Sequence, residues 1–132
     1  MPVYVESITQ PSPQDLTDLA KIYADAPEWL LTPYASAEAL IEAALADGSL
    51  IAGRFNDRLL GAALLRRGDE AWRLSHLCVR KVTRKRGVGR RLLEETQRLA
   101  SEAGKPLRLA APAGHLEASA LAARTHLPLD SL

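Results

Sequence analysis

The sequence predicts an α/β protein of the α+β kind: a mixed, mostly antiparallel sheet flanked by helices. Three observations carry that prediction. Two helical patterns with start and stop signals fill residues 12–48. Three apolar runs then follow between 49 and 79, separated by turns too short to hold a helix. The last of these runs leads through another helical pattern into a further apolar run at 107–111, the order that a parallel crossover requires. With 132 residues the chain is long enough to bury one core without metal or disulfide support, so a single domain over 1–132 is expected.

Each element has a local reason. Val3, Val5 and Ile8 alternate as in a first strand. Ser12-Pro13-Gln14-Asp15 reads as an N-cap, a proline in the first turn and an acid at the positive end of a helix. Leu16, Leu19, Ala20 and Tyr23 continue at helical spacing to a stop before Pro27. Ser36 opens a second helix through Leu40, Ile41, Ala44 and Leu45, and Gly48 suits its left-handed C-cap. Between the two, residues 29–34 are apolar but interrupted by Pro33.

From Leu50 the period becomes that of strands. "SLIAGRF", "RLLGAALLR" and "EAWRLSHLCV" are divided by Asn56-Asp57 and by Arg67-Gly68-Asp69, which predicts an antiparallel meander. Val88, Leu92, Leu93, Thr96 and Leu99 mark a third long helix closed by Gly104 and Pro106. "LRLAA" follows as a fifth strand, parallel to the third strand of the meander through a right-handed crossover. A last helix over 116–124 leaves about eight residues, too few for a closing pair of strands.

Composition removes several function classes. Seven of the 17 basic residues and none of the 16 acidic ones fall within residues 80–91, so one loop is strongly basic on a body that is otherwise net acidic. A broad nucleic-acid face would make the whole domain basic, and no aromatic residue interleaves these cations for base stacking. Cys78 is the only cysteine, which excludes an intrachain disulfide and fits a reducing compartment. His76, His115 and His126 lack ligand spacing, so no metal is expected. No basic-then-apolar leader opens the chain, and its longest apolar stretch, 59–65, is too short to span a bilayer. A cytoplasmic protein without a membrane or nucleic-acid partner is the expectation.

The basic loop, "RKRGVGRRL", joins a strand to a helix N-terminus, where unpaired amides and the helix dipole favour an anion. Gly87 and Gly89 keep side chains out of an approaching phosphate's path. A Walker loop needs Gly-Lys-Ser/Thr, which is absent, and the dinucleotide fingerprint needs a glycine where Leu92 stands. A solvated basic face and a nucleic-acid patch are the competing readings. Arg84-x-x-Gly87-x-Gly89 resembles the pyrophosphate-binding motif of the GCN5-related N-acetyltransferases, the GNAT superfamily, set in that superfamily's strand, loop, helix and strand order.

Within the superfamily, "DLAKIY", "RFNDRLLGA" and "LCVRKVTRKRGVGRRLLEE" resemble segments of the PanM/PanZ family, GNAT-fold factors that activate and regulate aspartate 1-decarboxylase in pantothenate and coenzyme A synthesis. The resemblance covers about two thirds of the chain, in the same order. It implies acetyl-CoA or CoA as cofactor, with Leu77, Cys78 and Val79 along the acetyl-pantetheine arm. It further implies that Thr83, Arg84, Lys85, Arg86, Gly87, Val88, Gly89 and Arg90 hold the pyrophosphate. Arg54 and Asn56, taken to lie in the meander turn, are implied to face the decarboxylase precursor. Residues 27–48 are longer than the family's equivalent, and the C-terminus departs more.

Acetyl transfer needs a base for the acceptor amine and an acid for the leaving thiolate. The strands "AWRLSHLCV" and "LRLAA" carry no carboxylate apart from Glu70 just outside, and all three tyrosines lie at or before Tyr34. His76 is the one candidate base, although a histidine or cysteine on such a strand more often serves packing; Trp29 and Trp72 read as core or interface. The chain thus reads as a cofactor-dependent regulator of the decarboxylase, with an active N-acetyltransferase acting on an unidentified amine as the alternative.

Overall fold

The computed structural model describes residues 3–83, 87–111 and 116–131. Its elements run β1 (Tyr4–Ser7), α1 (Pro13–Ala24), α2 (Glu28–Leu31), α3 (Ala37–Asp47), β2 (Leu50–Phe55), β3 (Arg58–Arg67) and β4 (Trp72–Val79). After a 3₁₀ turn at Lys81–Thr83 come α4 (Val88–Glu102), β5 (Leu107–Ala111), α5 (Leu116–Thr125) and β6 (Leu129–Ser131). The strands form one sheet in chain order, β1-β2-β3-β4-β5-β6. Pairing is antiparallel from β1 to β4 and parallel from β4 to β6.

The signals in the sequence act where they stand. The Ser12 hydroxyl accepts the amide of Asp15 and the Asp15 carboxylate accepts the amide of Ser12, a reciprocal capping box. Ser36 caps α3, and Gly48 closes it at φ 75°. Asn56 and Asp57 both have positive φ, 49° and 66°, as a two-residue hairpin turn requires.

Strand alternation divides the core in two. Leu50, Ala52, Ala62 and Leu64 face α1 and α3 and pack with Leu19, Ile22, Tyr23 and Leu40. Ile51, Ala63 and Leu65 face the other way, with Val88, Leu92 and Leu93 of α4. Leu92 has no exposed area, and burying such a side chain contributes about 2 kcal/mol. At Gly61 a β-carbon would stand 2.9 Å from Val88 Cγ1 and 3.2 Å from Leu92, so this glycine lets the first turn of α4 lie directly on the sheet. Val88 is thereby fixed, and the start of α4 with it.

Three sequence expectations change. Arg54 lies within β2, one residue short of its end, and the turn proper is Asn56-Asp57. The apolar stretch at 29–34 begins with the short helix α2, which its first-turn acid Glu28 favours although no side chain caps it. Beyond α5 the chain forms one short strand, β6, whose Asp130 pairs with both Arg73 and Arg108. Among the described residues no helix is long and apolar enough to cross a membrane.

Candidate functional site

A cleft opens where β4 and β5 part. Their pairing covers only Trp72–Leu107, Arg73–Arg108 and Leu74–Leu109. Just beyond, two residues of β4, His76 and Leu77, stand opposite Ala63 alone in the β3 register, and His76 takes φ 55°. An extra residue of this kind bends the strand and re-aims its continuation. While β4 runs on to Val79, β5 continues through Ala110 and Ala111 without pairing to it, held on its other edge by β6. The resulting cavity of about 670 Å³ is lined by Leu74 to Val79, by Leu109, Ala110 and Ala111, and from the α1–α2 side by Asp25, Pro27 and Trp29; Leu121, Arg124 and Leu129 close it. Its volume is that of a small-molecule site.

The predicted cofactor residues divide between this wall and the head of α4. Leu77, Cys78 and Val79 all line the cavity. The Cys78 thiol, however, is buried and donates to the Ile22 carbonyl at 3.3 Å, so it is a packing group. Gly87 is the N-cap of α4 at φ 86°, a conformation that favours glycine. The next three amides, of Val88, Gly89 and Arg90, lack helical acceptors by geometry, and the first turn holds no acid. Val88 is buried, which leaves only its backbone for a ligand. At Gly89 a β-carbon would meet nothing closer than Val79 Cγ2 at 3.5 Å, ordinary contact, so packing among the described residues gives no reason for glycine in a helix turn. Thr83 ends the 3₁₀ turn; Arg84, Lys85 and Arg86 lie outside the described residues, as does His115.

His76 is tied on both ring nitrogens. Its Nε2 stands 2.8 Å from the Thr32 carbonyl, an acceptor only, so Nε2 carries the proton; Nδ1, 2.7 Å from Ser75 Oγ, then accepts from that hydroxyl in the neutral ring. Burial pushes its pKa below the ordinary value; the Thr32 carbonyl pulls it up, and the Arg66 charge lowers it further. The imidazole is thus neutral with its lone pair engaged. Tyr34 packs on it at 5.4 Å between ring centroids and accepts a hydrogen bond from Arg66 on its own hydroxyl. Tyr23 is fully buried, which raises its pKa well above 10, and its hydroxyl donates to the His76 carbonyl at 2.9 Å. Among the described residues no group of His, Cys, Asp and Glu is arranged to hold a metal ion.

At the hairpin, Arg54 spends its guanidinium inside the chain. It donates to Glu6 at 2.8 Å and to Asp15 at 3.0 Å. Arg58 does the same with Asp18, at 2.7 Å, and Asp18 also accepts the Leu59 amide and the Gln14 side chain. Hydrogen bonding from Arg54 depresses the Asp15 pKa against the opposing effect of burial. Burial is the largest influence on Asp18 and raises it, but the bonds from Arg58, Leu59 and Gln14 together outweigh it and the pKa falls. Asn56 is exposed, and its side chain makes no hydrogen bond among the described residues. Of Arg54 and Asn56, Asn56 is the exposed one.

Sequence reasoning missed Asp25, Trp29 and Arg124, all brought to the cavity by the fold. For Asp25 a signal existed: with Asp15, Asp18 and Ile22 it repeats at 3-4-3 spacing, one face of a helix.

A family model described as "Acetyltransferase (GNAT) domain, PanZ" matches residues 2–129. The chain belongs to that family. This PanZ-family chain is 38% identical over 87 residues to the PanD regulatory factor of Salmonella typhimurium, a match covering 66% of this chain and 60% of that relative's length. Among solved structures, the ribosomal-protein-alanine N-acetyltransferase of Brucella melitensis biovar Abortus superposes with a TM-score of 0.70 at 20% identity, over 93% of this chain and 89% of its own. A GNAT family acetyltransferase of Elizabethkingia anophelis, solved with acetyl-CoA bound, superposes with a TM-score of 0.64 at 19% identity, over 93% and 74%. Both share the GNAT fold of this PanZ-family chain.

Proposed function

We propose that this chain is one GNAT domain over residues 1–132 that binds acetyl-CoA or CoA in the cytoplasm and, so loaded, docks on the aspartate 1-decarboxylase precursor to activate and regulate it. The observation that carries the proposal is the parted β4–β5 cleft, whose wall residue Val79 stands 3.5 Å from the β-carbon position of Gly89 in the first turn of α4, in a family whose relative bears the name PanD regulatory factor. In this reading the acetyl-pantetheine arm lies along Leu77, Cys78 and Val79. The pyrophosphate rests on the amides at Gly87, Val88, Gly89 and Arg90, with Thr83, Arg84, Lys85 and Arg86 completing its shell. Gly89, whose missing side chain has no packing reason, supports close approach of a ligand backbone at that turn. Arg54 and Asn56 face the partner in different ways: Asn56 offers a donor and an acceptor, and Arg54 stiffens the strand behind it. Bound cofactor supplies an anion and an acylated arm that fill the cleft.

Acetyl transfer is the second reading, favoured by Asp25, a carboxylate on the cavity wall. Yet that carboxylate accepts the Lys81 amide at 2.9 Å, and the His76 lone pair is engaged by Ser75. Neither is poised to take a proton from an amine. The discriminating experiment captures the decarboxylase precursor on this chain with and without acetyl-CoA, beside a steady-state transfer assay on common amines. Retention that depends on acetyl-CoA, with transfer at background, is expected. Robust turnover abolished by His76→Asn, with no capture, would replace the regulator by the enzyme.

A further inference from the structure

We infer that α1 is the strut through which the cofactor cleft and the docking hairpin act on each other, with Tyr23 and Asp25 as the positioning residues at its cleft end; this rests on the regulator reading above. Residues 15, 18, 22 and 25 share one face of α1 and its C-cap, and each is bonded to a successive part of the sheet. Asp15 takes Arg54 of β2, and Asp18 takes Arg58 and the Leu59 amide of β3. The Ile22 carbonyl takes the Cys78 thiol of β4, and Asp25 takes the Lys81 amide just beyond β4. Tyr23 adds the bond to the His76 carbonyl at the bulge. At 1.5 Å per residue the helix carries these contacts over about 15 Å.

The bonds therefore gather at two places. Those of Asp15 and Asp18 hold the strands that flank the Asn56-Asp57 turn. Those of Ile22, Tyr23 and Asp25 hold 76–81, the segment of β4 and its continuation that forms a wall of the cavity. The sheet pairs Cys78 with Ala62 and Val79 with Gly61, but the bulge residues His76 and Leu77 stand together opposite Ala63 and have no one-to-one partner in β3. Helix α1 reaches the bulge itself, through the Tyr23 hydroxyl on the His76 carbonyl. A ligand that fixes the bulge fixes the cleft end of α1 and thereby the hairpin, and by linkage a partner on the hairpin favours the same cleft geometry. Tyr23 is the sharper probe, since it is buried, does not line the cavity and reaches the ligand only through β4.

The test measures the affinity for the decarboxylase precursor with and without saturating acetyl-CoA. In the wild type the ratio should be about tenfold, within the usual span of site-to-site coupling. Tyr23→Phe should bring that ratio toward one while its binary acetyl-CoA affinity and its cooperative melting persist. Asp25→Ala should also bring the ratio toward one, whatever its binary acetyl-CoA affinity, and Asp25→Asn, which keeps a carbonyl acceptor for the Lys81 amide, should restore the ratio. Should Tyr23→Phe fail to fold, the Asp25 pair alone carries the decision. A ratio unchanged from wild type in Asp25→Ala and in folded Tyr23→Phe overturns the strut. A wild-type ratio of one overturns the regulator reading itself.

Discussion

At the hairpin every arginine meets its acid inside the chain: Arg54 has Glu6 and Asp15, and Arg58 has Asp18, a carboxylate with no exposed area. In the sequence, residues 80–91 carry seven basic residues and no acid, and although Arg91 pairs with Glu95 one turn on, the first turn of α4 holds no acid. The same residue type thus does two jobs. Charge neutralised within the fold fixes a shape, and a shaped hairpin can dock through neutral groups such as Asn56. A local excess of basic residues in the sequence leading into a helix N-terminus is suited to recruit an anion.

The largest break in that comparison should come from the charge-rich end. Gly89→Asp places a carboxylate among the proposed phosphate contacts, and like charges about 4 Å apart near a protein surface repel by about 4 kcal/mol. Calorimetry should show acetyl-CoA binding nearly abolished in a protein whose circular dichroism is unchanged; full affinity in the folded variant removes the loop from the ligand site.

Next comes the charge-neutral end. Asp18→Ala leaves the buried Leu59 amide without its acceptor, which should cost about 2–3 kcal/mol in urea unfolding at pH 7. Because the folded pKa of Asp18 lies below its ordinary 3.8, its ionised form stabilises the fold above that pH and loses this effect as pH falls through the folded value. The gap between wild type and Asp18→Ala should therefore shrink from about pH 5 downward. A gap constant down to pH 3 would mean that the charge of Asp18 contributes nothing.

The smallest effect belongs to Asn56. Its φ of 49° suits glycine, so Asn56→Gly preserves the turn and removes only the amide. Partner affinity should fall by about 1 kcal/mol, one hydrogen bond's worth, while stability and acetyl-CoA affinity stay put. If acetyl-CoA binding drops as well, the two surfaces are not separate.

What could be read directly from the sequence was whatever a short window contains. Ser12-Pro13, Ser36 with Gly48, and Asn56-Asp57 each specify a cap or turn with nearby atoms alone, and the basic loop is a local excess of charge. The cleft is assembled from segments around 25, 77, 110 and 124, and its opening depends on a bulge whose pivot is a histidine at positive φ, where no glycine announced it. The place of Arg54 within β2 was not legible for a related reason: its bonds to Glu6 and Asp15 come from elsewhere in the chain. Strand β6 has three residues, too short for a period to register.

One feature of the cavity wall doubles as an instrument. The protein has two tryptophans; Trp29 lines the cavity, and Trp72 sits at the far start of β4 under the Arg67 guanidinium, 5.3 Å from its ring. Indole emission follows the polarity around the ring, so a molecule entering the cavity alters the light from Trp29 while that from Trp72 serves as an internal reference. Occupancy can be followed optically on the unmodified chain, without a label.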